Sequence, residues 1–313
     1  MGKIAVELER AYARRVALGA PGQTAARVLA RGDGWTVDDV VCTFGPQDHP
    51  FEERHSHVSI AIVAAGSFQY RSAAGGELMA PGSLLLGNPG RYFECEHEHG
   101  TGDRCIAFRY TPEYFERLVA NTRIRGIKTD FRVLRLPPLL ALSPLIAHAC
   151  AGLVDSVDAP CLRVPWEELS IKLAVQTVQL AAGLSCEANG DAPSAVARVT
   201  RIVRRIEHDP GARLGLGALA REAGLSPYHF LRIFERLTGM TPHQYLLRSR
   251  LREAAMQLAA ESTRVLEVAF DCGFGDVSNF NRSFRAEFGV SPRVYRRQMA
   301  IRHHFTHQRK RTG

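Results

Sequence analysis

The stretch LGALAREAGLSPYHFLRIFERL at residues 216–237 decides the fold of the C-terminal part of the chain. Its spacing predicts a short helix to Ala223, a tight turn, and a second helix that begins after Ser226. Gly224 can adopt the positive φ that such a turn requires, and Ser226 offers a side-chain oxygen as the N-cap. The pattern is therefore typical of a helix-turn-helix.

The same pattern returns in VLEVAFDCGFGDVSNFNRSFRAEF at residues 265–288. Here Gly273 belongs to the predicted turn, and Asp276 is the predicted N-cap, 50 residues after Ser226. Between the two copies, residues 241–260 predict a long helix that would hold the modules at a fixed separation. Two recognition helices about 34 Å apart reach successive major-groove faces on one side of B-DNA.

The positive charge of the chain is concentrated in the same region. The 313 residues carry 40 Lys and Arg against 32 Asp and Glu, a formal net charge of +8. Residues 194–313 hold 21 basic and 10 acidic side chains, whereas residues 1–193 hold 19 and 22. This asymmetry favours a polyanionic partner, because basic side chains that neutralise phosphates release condensed counterions. A solvated basic surface is the alternative.

These stretches together resemble the AraC/XylS family of bacterial transcription regulators. The similarity covers about residues 196–297, and its densest segments are LAREAGLS (219–226), FLRIF (230–234), TGMTP (238–242), AFDCGF (269–274) and FGVSP (288–292). The resemblance implies a sequence-specific DNA-binding transcription regulator, an activator by expectation, that works as a homodimer with promoter DNA and RNA polymerase as partners. The residues themselves do not separate activation from repression.

The resemblance also implies which residues of the two recognition helices read bases. On the first helix they match Tyr228, Leu231 and Arg232, and on the second Val277, Ser278, Asn279 and Arg282. An arginine can donate two hydrogen bonds to guanine, and Asn279 can pair in the same way with adenine. Leu231 and Val277 are apolar at positions where the family often has a polar residue that reads bases. They would therefore contact thymine methyl groups or make no base contact. The alternative for the arginines is a contact with phosphate. For His229, a contact with phosphate or with solvent is expected in place of a base contact.

The first half of the chain has the pattern of an antiparallel β domain. Short apolar stretches punctuated by Gly and Pro predict strands over 37–43, 58–63, 67–71, 83–86, 92–99 and 104–110. No helical pattern lies between them, which favours a sandwich or barrel over a parallel sheet. Helical spacing follows, and the apolar stripe of 166–184 would pack on the barrel or on the same helix of a second subunit.

The family resemblance implies a cupin-like β-barrel for this N-terminal domain. The fold class is then α+β, with an all-α C-terminal domain that carries two helix-turn-helix motifs. His55 and His57 resemble the first half of the cupin metal motif, but Ile60 or Ala61 stands where its glutamate is expected. The later histidine of the motif is also replaced, so the standard three-histidine, one-glutamate site is not expected.

A different set of ligands lies in ECEHEHGTGDRC at residues 94–105. Strand alternation places Cys95, His97 and His99 on one face and three glutamates on the other. Charged glutamates are unfavourable inside a barrel, so the Cys/His face is expected to point inward. Thiolate and imidazole ligands suit Zn²⁺, and also Cu⁺, Ni²⁺ or Fe²⁺.

A turn centred on Gly100 would complete this arrangement as a hairpin. It would place Cys95 opposite Cys105 and His97 opposite Asp103. The predicted effector or metal site consists of His55, His57, Cys95, His97, His99 and Cys105.

Several interpretations of this region remain open. The inward face could hold a transition-metal ion, line a pocket for a small organic effector, or form a polar interior whose histidines satisfy one another. The alternative function is a cupin-type metal enzyme with an appended DNA-binding module. A third is a DNA-binding protein whose barrel serves only for dimerisation or docking.

The predicted organisation is a sensing and dimerisation domain (1–186), a linker (187–195), a DNA-binding domain (196–300) and a basic tail (301–313). Turn-forming residues at the change of charge balance indicate the linker. No apolar stretch approaches the roughly 20 residues of a membrane span, and the first fifteen residues lack the apolar core of a secretory signal. We therefore expect a cytoplasmic protein with no membrane partner, whose seven irregularly spaced cysteines are reduced.

Overall fold

The computed structural model of the protein describes residues 3–49, 52–97, 101–120, 130–153, 164–184, 192–260 and 263–299. Strands dominate the first half of the chain, and helices make up the second half. The predicted α+β class, with an all-α C-terminal domain that carries two helix-turn-helix motifs, is confirmed. Within these ranges, no helix is long and apolar enough to cross a membrane.

The N-terminal strands form two antiparallel sheets. They are β1 (Thr24–Gly32), β2 (Trp35–Cys42), β3 (Glu52–Arg54), β4 (Val58–Gly66), β5 (Phe68–Ser72), β6 (Gly75–Met79), β7 (Leu84–Gly87), β8 (Tyr92–Glu96), β9 (Asp103–Tyr110) and β10 (Arg135–Leu136). One sheet has the order β1-β2-β9-β4-β7-β10, and the other has the order β3-β8-β5-β6. The described strands thus form a sandwich of two open sheets, which is the first of the two arrangements that the strand pattern favoured; the closed barrel that the family resemblance implied is not formed.

The central strands of the larger sheet, β4 and β9, are buried on both of their faces. In β4, Ile60 and Ile62 pack into the core under the helices, whereas Ala61 and Val63 pack against the smaller sheet. Burial on both faces explains why this strand is apolar along nearly its whole length. The covering helices are α1 (Lys3–Ala17), α2 (Pro112–Ala120), α3 (Ser143–Ala151) and α4 (Trp166–Ala181), with a 3-10 helix at Leu140–Leu142.

The six predicted strands all exist, but four strands were missed. Those four are β1, β3, β6 and β10; of these, β1 is mostly exposed and β3 fully exposed, so both lack apolar alternation. In α4, Leu169 and Leu173 lie in the core of the N-terminal domain. The apolar stripe of this helix therefore packs within the same domain, which was the first of the two predicted alternatives. The predicted hairpin is wrong, because β8 and β9 belong to different sheets.

The C-terminal domain consists of the predicted doubled motif and one additional helix in front of it. Its helices are α5 (Pro193–His208), α6 (Leu216–Glu222), α7 (Pro227–Thr238), α8 (Pro242–Ala260), α9 (Val265–Asp271) and α10 (Val277–Phe288), followed by a helical segment over 292–299. The predicted linker overlaps the start of α5, and its residues 187–191, like the tail 301–313, lie outside the described residues. The domain boundaries therefore stay a prediction.

Local signals explain the ends of the two second helices. The Ser226 hydroxyl accepts a hydrogen bond from the backbone N–H of His229 at 3.4 Å, and the Asp276 carboxylate accepts one from Asn279 at 2.6 Å. Gly224 has φ +66° in its turn, as predicted. Phe230 and the other inward aromatic residues are fully or largely buried, which fixes the opposite faces of α7 and α10 toward solvent.

The two domains share an interface. Leu78 and Ala80, at and just after the end of β6, belong to the hydrophobic core of the first helix-turn-helix. On the other side, Ala147 of α3 belongs to the core of the second. Each module therefore packs directly against the β-sandwich.

A buried ion pair attaches α1 to the larger sheet. Arg104 in β9 donates two hydrogen bonds to Asp39 in β2, at 2.8 and 2.9 Å, and a third to Glu7 of α1. Burial acts to raise the pKa of Asp39, but Arg104 and Arg27 outweigh it, so that this pKa is lowered. Arg104 is therefore the residue that balances buried negative charge at this end of the sandwich.

Replacing Arg104 by alanine is expected to destabilise the N-terminal domain by about 3–5 kcal/mol, because the buried Asp39 would lose its buried partner and keep the largely exposed Arg27. Urea unfolding monitored by tryptophan fluorescence measures this loss. Arg71→Ala is the matched control, since Arg71 is half-exposed and pairs with Glu96 at the surface. We expect the control to change stability by less than about 1 kcal/mol. Equal losses in the two variants would contradict this assignment.

Candidate DNA interface and ligand cavity

Helix α7 presents the predicted readers of the first module on its solvent face. Tyr228, His229 and Arg232 are exposed, and Leu231 is half-buried. The Arg232 guanidinium lies over the Tyr228 ring, 5.8 Å from its centroid. Such a cation–π contact restricts the arginine to conformations that project along this face.

Helix α10 repeats this arrangement in the second module. Ser278, Asn279 and Arg282 are exposed, and Val277 is half-buried. All eight residues predicted to contact DNA therefore lie in the first two turns of the two recognition helices. The exposed helix N-termini add backbone N–H groups, which favour phosphate.

His229 occupies a capping position. Its Nδ1 lies 3.1 Å from the hydroxyl of Ser226. This contact keeps the ring beside the N-terminus of α7.

Two arginines that no sequence pattern predicted as functional position the first module. Arg198 and Arg201 of α5 donate hydrogen bonds to the carbonyls of Gly224 and Glu222, at 3.2 and 2.7 Å. These bonds hold α5 against the turn between α6 and α7. Pro193 at the first position of α5 is a helix-start signal that could have identified this helix, but it lies within the predicted linker.

A cavity of about 500 Å³ lies between the two sheets of the sandwich. Small inward residues, Ala61 and Ala107, leave space on the larger sheet. Five of the six residues predicted for the effector or metal site line the cavity: His55, His57, Cys95, His97 and Cys105. The sixth, His99, lies outside the described residues.

The predicted pairing of Cys95 with Cys105 is wrong, whereas His97 and Asp103 do contact each other, although not as paired residues of one hairpin. Cys95 lies opposite Tyr70, and Cys105 lies between Val40 and Val63. The strands β8 and β9 lie in different sheets and are not neighbours. Gly102 has φ +79°, and a Cβ there would lie 2.3 Å from the carbonyl oxygen of Cys42.

The two histidines of the cupin-like fragment have separate partners. His55 Nε2 lies 2.8 Å from the Tyr70 hydroxyl, and its ring stacks on Phe93 with centroids 4.1 Å apart. Burial, helped by the charge of Arg109, lowers the pKa of His55 to about 4, so the ring is neutral near pH 7. His57 Nδ1 bonds with the Ser56 hydroxyl at 2.8 Å. Neither belongs to the group of described residues with metal-ligand spacing.

That group consists of Cys42, His97 and Asp103. The His97 Nε2 atom lies 2.6 Å from Asp103 Oδ1 and 3.6 Å from Cys42 Sγ. Cys105 Sγ lies 3.1 Å from the other oxygen of Asp103. Burial first, and then the Asp103 charge, raise the pKa of the thiols of Cys42 and Cys105.

Cys42 is not among the residues predicted for the site. Cys42 lies at the end of β2, 55 residues before His97, and faces Asp103 in the register of β2 and β9. Only the sheet topology brings these side chains together. The alternation of Cys95 and His97 correctly predicted which face of β8 points inward.

The C-terminal region is similar to known regulators. A helix-turn-helix domain family matches residues 219–298. The HTH-type transcriptional activator AarP of Providencia stuartii is 32% identical over 98 residues, which are 31% of this chain and 73% of AarP. An HTH-type transcriptional regulator of Mycobacterium tuberculosis is 39% identical over 85 residues, 27% of this chain and only 33% of that protein.

The fold defines a double helix-turn-helix DNA-binding domain joined to a β-sandwich. Given these matches, the chain belongs to the AraC/XylS family of DNA-binding transcription regulators.

Two solved structures are also similar to this chain. The DNA-binding domain of AdpA, in complex with a target DNA, has 30% identity and a TM-score of 0.33, covering 34% of this chain and 95% of that one. ToxT of Vibrio cholerae, with a bound unsaturated fatty acid, has 11% identity and a TM-score of 0.34, covering 85% and 96%.

Replacing Arg232 by alanine is expected to weaken binding to DNA selected by the wild-type protein from a randomised duplex pool. The loss should be about 1–3 kcal/mol, or roughly 5- to 150-fold in Kd, if the guanidinium reads a guanine. Fluorescence anisotropy with the selected and a scrambled duplex measures this. Arg91→Ala, an exposed arginine of the N-terminal domain, is the charge-matched control. An equal loss of affinity for both duplexes would show that Arg232 contacts phosphate and does not read a base.

Proposed function

We propose that the protein is a ligand-responsive transcription regulator whose β-sandwich binds an effector and whose two recognition helices bind one operator. The observation that carries this proposal is the cavity of about 500 Å³ in a domain that packs directly on both helix-turn-helix modules. A ligand that favours one packing of these domains would change the affinity for DNA by the difference in its own affinities for the two packings.

Operator recognition is assigned to the exposed faces of α7 and α10. Arg232 and Arg282 are proposed to read guanine edges, and Asn279 an adenine edge. The exposed Tyr228 and Ser278 extend these faces, while His229 contacts phosphate. The half-buried Leu231 and Val277 are placed to contact thymine methyl groups.

The assembly and the regulatory outcome are inferred from the family. AarP is named as a transcriptional activator, and we propose that this protein also activates promoters through RNA polymerase, as a homodimer. Its partner DNA makes the cytoplasm its proposed place of action.

The cavity has the size and composition of a small-molecule site. Such sites commonly enclose about 300–1,000 Å³ and combine apolar walls with a few polar groups. Here Phe68, Phe93 and Leu85 supply apolar surface, and His57 and Arg109 supply polar groups. An effector bound here would contact both sheets at once.

A polar contact connects the β-sandwich to the second recognition helix. Ser143 at the start of α3 donates a hydrogen bond to Glu287 near the end of α10. Arg248 of α8 donates to the carbonyl of Pro138 and lies 3.4 Å from Glu287. Through these bonds the N-terminal domain contacts α10 directly, in addition to the apolar packing between the domains.

Filling the cavity tests the proposed effector site. In Ala61→Phe, the new ring would occupy the space beside the larger sheet, so that small molecules found to raise the Tm of the wild-type protein should no longer do so. Binding of the selected duplex without ligand should stay within about twofold, because the recognition helices are untouched. Ligands that stabilise the variant as well as the wild type would contradict a site in this cavity.

Removing the Ser143 hydroxyl tests the coupling. In Ser143→Ala, the effector should still raise the Tm, while its effect on DNA affinity should fall by about 0.5–2 kcal/mol, or roughly 2- to 30-fold. Ser194→Ala, an exposed serine at the start of α5, is the control. The measurement is duplex affinity with and without the stabilising ligand. An unchanged ligand effect would exclude this contact from the coupling.

A further inference from the structure

The group formed by Cys42, His97 and Asp103 combines three metal-ligating side chains in the interior of the sandwich. All three are buried, with 7%, 4% and 5% of their surfaces exposed. They come from the end of β2, the residue after β8, and the start of β9. The group therefore spans both sheets at one end of the cavity.

The geometry is close to that of a four-coordinate metal site. A tetrahedral Zn²⁺ with sulfur at about 2.3 Å and nitrogen at about 2.0–2.1 Å places these two ligand atoms roughly 3.5 Å apart. The distance from Cys42 Sγ to His97 Nε2 is 3.6 Å. His97 Nε2 and Asp103 Oδ1, now 2.6 Å apart, would separate by about 0.7 Å on coordination.

Cys105 lies outside this group of three but contacts Asp103, and its sulfur would have to shift toward Cys42 and His97 to become a fourth ligand. It is two residues after Asp103 in β9, so both side chains point to the same face of the strand. Its Sγ atom lies 3.1 Å from Asp103 Oδ2 and is itself buried. Two sulfurs, one imidazole and one carboxylate suit Zn²⁺ and related transition metals, whereas Mg²⁺ and Ca²⁺ prefer oxygen alone.

The surroundings hold the histidine in place. Its ring stacks between Phe44 and Phe68, with centroid distances of 6.3 and 5.6 Å. These contacts aim Nε2 at Cys42 and Asp103. The buried Nδ1 atom of His97 has no hydrogen-bond partner among the residues that the structure describes, and coordination of a metal through Nε2 would not provide one.

The charges also favour a cation. Among the described residues, His97 is the one basic side chain within ion-pair distance of Asp103. Three cysteines line the same cavity. A metal ion at this end would satisfy the carboxylate and the sulfurs together, and the rest of the cavity would give it a route from solvent.

We propose that Cys42, His97, Asp103 and Cys105 bind one transition-metal ion of the Zn²⁺ class, and that this ion is a signal to which the regulator responds. The second part rests on the proposed function, whereas the first part stands on the cluster alone. The histidines His55 and His57 are not ligands of this site.

Metal titration of the full-length, tag-free protein, stripped with a chelator and dialysed, tests the site. We expect about one Zn²⁺ or Co²⁺ per chain, with thiolate-to-cobalt charge-transfer absorption. Cys42→Ser and the nearly isosteric Asp103→Asn should each weaken binding at least about 100-fold. Cys150→Ala, which changes a buried cysteine in α3 outside the cluster, should bind metal like the wild type.

Each variant is first shown to bind the selected duplex in metal-free buffer, which separates loss of the site from loss of the fold. No metal in the wild type, or unchanged binding in both ligand variants, would overturn the site and leave a plain histidine–aspartate hydrogen bond. The Ala61→Phe test of an organic effector would be unaffected by that result.

DNA affinity with and without Zn²⁺ tests the second part of the proposal. The wild-type protein should change its Kd for the selected duplex at least about fivefold, and Cys42→Ser should not respond. Stoichiometric metal with an unchanged Kd would overturn the signalling role and leave a structural metal site. Failure of the wild type to bind any selected duplex would instead count against the proposed function itself.

Discussion

The burial of both faces of β4 and β9 is the constraint on which the rest of the N-terminal domain depends. One face must fill the core beneath four helices, and it does so with Ile60, Ile62 and Phe108. The other face meets the smaller sheet with Ala61 and Ala107, which are too small to fill the space between the sheets. Large side chains on one face and small ones on the other therefore determine where the cavity lies.

The same constraint determines what the cavity contains. A strand buried on both faces has no solvent side for a polar residue, so Asp103 and Cys105 must find partners inside. Cys42 and His97 supply them from two other elements. The side chain of Arg104 points to the opposite face of β9, where it forms ion pairs with Asp39 and Glu7. Polar groups on the two faces of β9 thus tie the strand both to the cavity and to α1.

The sequence predicted the C-terminal domain better than the site because its signals are local. The caps at Ser226 and Asp276 and the turn at Gly224 act within a few residues, and they placed α7 and α10 to within about a residue. The Cys42 contact depends on sheet order, which no nearby residue encodes. The supposed hairpin failed for the same reason. Strand alternation chose the correct face for Cys95 and His97, but the partner strand depended on sheet order.

The length of α8 has a consequence for the evolution of operators. Its 19 residues form a rod of roughly 28 Å between the two modules, and both modules pack on the same β-sandwich. Inserting one base pair between the two recognition sequences would shift them by about 3.4 Å and rotate them by roughly 35° about the DNA axis. A rigid spacer cannot follow that change. If both recognition helices read one operator, as proposed, base identity in that operator can change one position at a time, while insertions and deletions between the two recognition sequences are selected against.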